Sequence, residues 1–173
     1  SGGAAVIGAW RDNSLTGAAY VFVRSGTTWS QQAKLTASDG VASDQLGWSV
    51  SIDGNYAIAG ARYNDDKGKN SGSAYVYVRS GTSWTQQAKL LANDGATWYQ
   101  FGLSVSISGK TALIGSVGNN INTGAAYLFE EAVCSSTNAL PTKADTTYTG
   151  AYATTDANGW THYCSSDDQL LLS

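Results

Sequence analysis

The pair His162 and Cys164 comes closest in this sequence to catalytic chemistry. A histidine beside a cysteine can accept the thiol proton and leave a nucleophilic thiolate. The stretch Trp160-Thr161-His162-Tyr163-Cys164 contains the single histidine of the chain. Residues two apart on a strand share a face, where such side chains are more often surface neighbours than a catalytic dyad. Two cysteines and one histidine also lack the fourth ligand of a zinc site, so the sequence predicts no enzyme.

A second set of chemically useful residues is aromatic and basic, and it falls outside the strand patterns described below. The set comprises Trp10, Arg62, Tyr63, Trp98 and Tyr99. An exposed aromatic ring beside polar residues can stack on a sugar ring or anchor a protein partner. These five are therefore candidate ligand-binding residues, with ordinary loop packing as the alternative interpretation.

The composition favours a β protein. The 173 residues include 20 Gly, 1 Pro, 10 Tyr and 6 Trp, with many Val, Ile and Thr, and β-branched and aromatic residues favour strands. A net charge of −3, a pI of about 4.9 and scattered basic residues make nucleic acid a poor partner. No apolar run is long enough to insert into a membrane as a helix. Low charge with abundant Ser, Thr, Gly and Tyr is typical of secreted or cell-surface proteins.

The elements that must position these residues are copies of one repeat. Segments 17–40 and 72–95 are identical at 18 of 24 positions, and segment 46–61 recurs as 101–116 with the same shift of 55 residues. Each full unit contains four strand patterns, separated by turn signals such as Asp53-Gly54 and Ser80-Gly81. In the complete unit the predicted strands are 46–53, 56–61, 74–79 and 84–90. The second and third are apolar on both faces, which predicts burial between two layers.

Four antiparallel strands in roughly 45 to 55 residues, repeated along a chain, indicate the blades of a β-propeller. The first unit has patterns two to four, the second has all four, and the third has one to three. The sequence therefore predicts ten strands and fewer than three blades, whereas closed propellers usually have about four to eight. Two interpretations remain open. The chain is part of a larger propeller, which we favour, or copies of the chain complete one another by strand complementation at their open ends.

A separate small module is predicted after residue 131, where the repeat stops. Residues 132–173 are rich in Thr, Ser and Tyr, and segments 146–154, 160–164 and 169–172 have strand patterns. Cys134 and Cys164 are compatible with one disulfide in an oxidising compartment, with free buried thiols as the alternative. The predicted organisation is thus propeller blades over residues 1–131 and a β-rich module over 132–173.

The order of the repeated motifs resembles the FG-GAP repeat. Phe-Gly at 101–102 precedes a strand, Gly-Ala at 8–9 and 60–61 follows the next strand, and Gly-Ala-Ala-Tyr recurs at 17–20 and 124–127. The position after Gly-Ala holds Trp10, Arg62 or Val117 instead of the usual proline, a difference that affects loop shape more than fold. The resemblance covers about residues 4–131 and is closest in style to the secreted bacterial form.

This resemblance implies a function as well as a fold. FG-GAP repeats build the propeller heads of integrin α chains and of many secreted bacterial proteins. The resemblance therefore implies a non-catalytic extracellular or cell-surface module for binding or adhesion, which acts through loops on one propeller face on a protein or glycan. Two alternatives are a structural subunit of an extracellular fibre or sheath, assembled from further copies of the chain, and a carbohydrate-binding module.

Relatives in this family often carry a calcium loop of the type Asp-x-Asp-x-Asp-Gly between the second and third strands. The matching loop here contains Asn64, Asp65 and Asp66, which are hard oxygen donors. Its two carboxylates are adjacent rather than alternating, and Lys67 and Lys69 lie beside them, which is a poor arrangement for calcium. A solvated turn is the expectation, with a calcium site as the alternative.

Three further aspartates, Asp39, Asp44 and Asp94, fall between the fourth strand of one unit and the first strand of the next. Aspartate side chains commonly bond to backbone groups of their own turn. We expect these residues to tie the turns between blades to nearby backbone amides.

Overall fold

Three antiparallel sheets form the repeat region in the computed structural model of the chain. The structure describes residues 3–118 and 124–130, together with the backbone of residues 151–155, 161–165 and 170–171. Blade 1 consists of β1 (Ala4–Ala9), β2 (Ala18–Ser25) and β3 (Thr28–Leu35). Blade 2 consists of β4 (Leu46–Asp53), β5 (Tyr56–Ala61), β6 (Ser73–Ser80) and β7 (Ser83–Leu90). Blade 3 consists of β8 (Ser104–Ser108), β9 (Thr111–Ser116) and β10 (Ala125–Glu130).

Strands that follow one another along the chain are neighbours in each sheet. This up-and-down order, with antiparallel pairing throughout, is the arrangement of a propeller blade. It confirms the predicted all-β class, the four-strand unit and the ten strands between residues 4 and 130. These ten strands do not close a propeller.

The C-terminal region contributes a fourth sheet, with three strands in the order β11 (Ala151–Thr155), β12 (Thr161–Ser165) and β13 (Leu170–Leu171). Strands were predicted at these three places. Cys134 and the side chains of His162 and Cys164 lie outside the described residues. The disulfide, the rejection of a catalytic dyad and the division of the chain after residue 131 therefore stay predictions.

Blade 2 is buried on both faces, as the apolar pattern of its second and third strands predicts. Ala57 and Tyr75 pack against blade 1, whereas Ile58 and Val76 pack against blade 3. All four residues are at most 3% exposed. Successive side chains of a strand point to opposite faces, so one strand supplies the contacts for two blade interfaces.

The small side chains of β4 lie against the first strand of blade 3. Ser49 Oγ donates a hydrogen bond to the carbonyl oxygen of Gly102 at 2.7 Å. Ser51 Oγ accepts one from the backbone N–H of Ile107 at 3.2 Å. The strand pattern that is bulky on one side and small on the other therefore marks a place where two sheets approach closely.

Tyr77→Phe is expected to leave stability unchanged or to raise it by up to about 1 kcal/mol. Tyr77 is 2% exposed, and its hydroxyl has no hydrogen-bond partner among the residues that the structure describes, so its burial is uncompensated. Phe22 and Phe129 occupy the equivalent positions of the other blades. Urea unfolding measures the change. In the control Tyr75→Phe, which deletes the hydroxyl bonded to Asp39 at 3.0 Å, we expect a loss of about 1 kcal/mol, and an equal loss in both variants would contradict the prediction.

Candidate functional site

Five loops lie at one end of the blades, which we call the loop end. They are segments 10–17, 36–45, 62–72, 91–100 and 117–118. Backbone hydrogen bonds join them: Gln45 N–H donates to the Leu15 carbonyl at 2.9 Å, and Trp98 N–H donates to the Lys69 carbonyl at 2.8 Å. The opposite end, which we call the turn end, carries the tight turns at Gly26, Gly54, Gly81 and Gly109.

Three of the five predicted ligand-binding residues come together at the loop end. The rings of Trp10 and Trp48 lie 5.2 Å apart, centroid to centroid. The guanidinium carbon of Arg62 lies 3.2 Å from the centroid of Trp48 and 4.3 Å from that of Tyr63. Arg11 stacks on Trp10 at 4.5 Å. We call these five residues the arginine–aromatic ladder.

The two arginines of the ladder have no acidic partner among the residues that the structure describes. The ion pairs found there all involve Lys34 or Lys89. Arg62 Nε donates to Gln45 Oε1 at 3.1 Å, which fixes the guanidinium plane and leaves its two terminal nitrogens for a ligand. Arginine binds carboxylates through paired hydrogen bonds and stacks on aromatic faces. The ladder is therefore suited to an acidic group.

The remaining predicted residues, Trp98 and Tyr99, have different environments. Trp98 is 47% exposed, and Lys69 Nζ lies 5.4 Å from the centroid of its ring. Tyr99 is half-buried, and its carbonyl oxygen accepts hydrogen bonds from Ser116 Oγ at 2.5 Å and from Val117 N–H at 3.0 Å. Trp98 thus presents an aromatic face to solvent, whereas the backbone of Tyr99 joins two loops.

Each predicted metal ligand has a protein partner of its own. Asn64 is 3% exposed and donates to Asp44 Oδ2 at 3.3 Å. Asp65 Oδ1 accepts from a backbone N–H of the same loop at 2.6 Å, and Asp66 pairs with Lys89 at 2.5 Å. No group of three or more His, Cys, Asp or Glu side chains suited to a metal occurs among the described residues. These side chains therefore hold the loop through contacts within it, with the preceding loop and with β7, and the calcium site stays an untested alternative.

The aspartates between blades act in two different ways. Asp44 accepts a hydrogen bond from the backbone N–H three residues earlier at 3.1 Å, as predicted, and burial raises its pKa. Asp39 and Asp94 instead accept hydrogen bonds from tyrosine hydroxyls of the following blade, Tyr75 at 3.0 Å and Tyr127 at 2.7 Å. The prediction of a bond to backbone amides does not describe these two, because their side chains reach across the blade interface.

In blade 1, the carboxylate that accepts the equivalent tyrosine hydrogen bond comes from a loop of the same blade. The Tyr20 hydroxyl donates to Asp12 at 2.5 Å, and Lys34 pairs with the same carboxylate at 2.8 Å. Asp12 begins the four-residue turn α1 (Asp12–Leu15), in which Asn13 and Ser14 have positive φ. This backbone conformation is uncommon outside glycine, and it places Asp12 where Asp39 stands in the next blade.

Asp39→Asn is expected to destabilise the protein at pH 7 by less than about 1 kcal/mol, since the side chain is 49% exposed and water screens the pair. Burial raises the pKa of Asp39, but hydrogen bonds from Lys89 and Tyr75 outweigh it and hold the pKa below 3.8. With a depressed folded-state pKa, the stabilisation is present above 3.8 and is lost as the pH falls through the folded-state value. Urea unfolding at pH 7 and at about pH 3 measures this, and a loss that does not depend on pH would contradict it.

Sequence reasoning missed two members of the ladder, Arg11 and Trp48. Trp48 has the periodicity of a strand residue, so nothing in its sequence position groups it with the loop residues. Trp48 lies three residues after Gln45, whose backbone N–H donates to the Leu15 carbonyl at the loop end. The ring of Trp48 lies beside that of Trp10. The available signal was the difference between units, because Leu103 stands at the equivalent position of the next unit.

Comparison with known families gave one match. The family model described as FG-GAP repeat matches residues 29–77 and 84–129, which is more than half of the chain and spans strands of all three blades. Comparison with curated proteins gave no match. Among the described residues, no helix has the length and apolar character needed to cross a membrane.

Proposed function

The chain belongs to the FG-GAP repeat family, and on this premise we propose that it is a secreted or cell-surface module that binds a protein partner through its loop end, without catalysis. FG-GAP repeats occur in integrin-like extracellular adhesion proteins. The partner surface that suits this loop end carries acidic side chains.

The arginine–aromatic ladder carries this proposal. Trp, Tyr and Arg are the residue types that most often dominate the free energy of protein binding. Here Arg62 is held between Trp48 and Tyr63 by stacking and by Gln45. A side chain that is ordered before binding loses less conformational entropy in the complex. The guanidinium of Arg62 is thus oriented in advance for a carboxylate.

Binding of the full chain to a panel of immobilised acidic extracellular proteins tests the proposal. We expect at least one protein ligand whose affinity falls at least about tenfold in Arg62→Ala, as for a residue that dominates binding. The control Lys110→Ala removes one positive charge at the turn end and is expected to change the affinity less than about twofold. Ligands that bind Arg62→Ala and the unmodified protein equally well would contradict a site at the ladder.

Carbohydrate binding is the alternative for the same end of the molecule, and Trp98 is the residue that would support it. Arginines cover one face of both Trp10 and Trp48, whereas Trp98 is 47% exposed. A glycan array provides the test. Hits that disappear in Trp98→Ala would favour sugar binding over the ladder, and an array without hits would remove this alternative.

A second candidate function is that of a structural subunit, and it is supported by the outer faces of blades 1 and 3, which are the faces turned away from blade 2. The exposed apolar side chains there are Ile7 (55%) and Trp29 (48%) on blade 1, and Leu113 (48%) and Leu128 (47%) on blade 3. Ile58 and Val76, the blade 2 equivalents of the last two, are at most 3% exposed because blade 3 covers them. Exposed apolar surface of this kind marks interaction sites.

In this second candidate, blade 3 of one copy stacks on blade 1 of the next. Among the described strands, the edge strands β1 and β10 are each paired on one side only, so strand complementation at these open ends stays a prediction beside this contact between faces. Such a head-to-tail contact generates chains or rings. Light scattering is expected to show a mass that rises with concentration and falls in Leu128→Asp. A mass equal to one chain at all concentrations would exclude this function.

A further inference from the structure

The turn end carries a groove between blades 1 and 2, on the side of the molecule opposite to the loop end. Its volume is about 400 Å³, and its walls include Arg24, Gln32 and Arg79. This size lies in the range of small-molecule sites, roughly 300 to 1,000 Å³. Gly3, Ala4 and Gly54 complete much of the remaining wall, so the groove combines small residues with two guanidinium groups.

Arg79 is held in a fixed orientation beside this groove. Its Nε and one terminal nitrogen donate to Asn55 Oδ1 at 3.1 and 2.9 Å. Its backbone N–H also donates to the Asn55 carbonyl at 2.8 Å. The other terminal nitrogen remains for a ligand. Arg24, on the other blade, is exposed, and its guanidinium has no acidic partner among the described residues.

Gln32 can offer hydrogen-bond donors to a ligand. Its Oε1 accepts a hydrogen bond from Trp84 Nε1 at 2.9 Å, which orients the amide, and the NH₂ group carries two donors. None of the described residues that line the groove is acidic. Asp53, the acidic residue next to Gly54 in sequence, is bonded instead to Gly109 N–H of blade 3 at 2.8 Å. The polar side chains of the groove therefore supply donors and positive charge.

We propose that this groove is a binding site for an oxyanion, a sulfate or carboxylate group that is either free or carried on a sugar. Guanidinium groups bind such oxyanions through charge-assisted, often paired hydrogen bonds. The site needs blades 1 and 2 together, because Arg24 and Gln32 come from one blade and Arg79 from the other. In the third unit of the sequence, Glu131 stands at the position of Arg79, so the repeat does not provide the same donor set at the next boundary.

Isothermal titration of the full chain with sodium sulfate and with a sulfated disaccharide, at low ionic strength, tests the proposal. We expect binding of at least one probe, weakened about tenfold or more in Arg24→Gln and in Arg79→Gln, since each deletes a charge-assisted hydrogen bond. The control Lys67→Gln removes one positive charge at the loop end, outside the ladder, and is expected to change affinity less than about twofold. Arg24→Gln is the safer of the two variants, because Arg24 is exposed and its guanidinium forms no ion pair with the described residues.

The two probes separate the sources of the oxyanion. Binding of both, with competition between them, supports a site for a group carried on a sugar, whereas binding of sulfate alone supports a free anion. The proposal is wrong if neither probe binds at millimolar concentration. It is also wrong if Lys67→Gln weakens binding as much as Arg24→Gln, since that result would reflect the net charge of the protein and not the groove.

Discussion

Gly60→Ala is expected to destabilise the protein by about 3 kcal/mol, because there is no space for one methyl group. A Cβ atom on Gly60 would lie 2.0 Å from the carbonyl oxygen of Gly102 and 2.5 Å from Ser49 Oγ. The first of these is a backbone atom of the neighbouring blade, which cannot move aside by changing a rotamer. The same approach occurs at the other interface, where a Cβ on Gly8 would lie 1.9 Å from the carbonyl oxygen of Gly47. Relief of the clash therefore requires the two blades to separate.

The control for this prediction is Gly81→Ala, at a turn with φ +62 and no atom within 4 Å of the added Cβ. Strain in this left-handed conformation costs about 1 kcal/mol. Urea unfolding of the two variants separates steric exclusion between blades from backbone strain within a turn. Equal losses in Gly60→Ala and Gly81→Ala would contradict the close packing of the blades.

Phe101→Ala is expected to cost about 3 to 5 kcal/mol, as deletion of a buried aromatic side chain generally does. Phe101 is fully buried between blades 2 and 3. Its ring makes edge contacts with Tyr127 at 5.2 Å and with Phe129 at 5.9 Å, centroid to centroid, and such aromatic pairs add to the burial term. Because the loss is a large part of typical domain stability, about 5 to 15 kcal/mol, the variant should unfold at a much lower urea concentration.

Two further substitutions show whether this loss comes from the blade interface. Phe101→Leu introduces the residue that Leu46 provides in the preceding unit and is expected to cost less than about 1.5 kcal/mol. Leu128→Ala, on the outer face of blade 3, is expected to cost less than about 1 kcal/mol, because Leu128 is 47% exposed. A loss in Leu128→Ala as large as that in Phe101→Ala would show that another blade or a second copy covers the outer face.

The strands and the blade interfaces were largely predictable, because local pattern determines them. The alternation of small and bulky residues at 46–53 can be read directly from the sequence, and Ser49 on the small face bonds to the neighbouring blade. The turns at Gly54 and Gly81 also lie where their glycines indicated. A strand with a period of two residues and a turn with positive φ are properties of a few consecutive residues, so a single sequence contains the information.

The loop-end site was predictable only in part. The sequence identified Trp10, Arg62 and Tyr63 by their place outside the strands, but it did not join them to Trp48. It also assigned Asp39 and Asp94 to backbone amides, whereas they bind tyrosines 36 and 33 residues later in the chain. These contacts depend on how two blades are placed, and the sequence of one loop does not contain that placement.

The sequence by itself determined the repeat, the fold class and the family, since each follows from the identity and spacing of neighbouring residues. It also identified the residues that have the chemistry to bind a ligand. The tertiary structure decided which of them meet: Arg62 on Trp48 at the loop end, and Arg24 with Arg79 around the groove at the turn end. The physical reason is that both sites lie across the boundary between blades 1 and 2. Their geometry is fixed by the packing of buried side chains and glycine backbone between sheets.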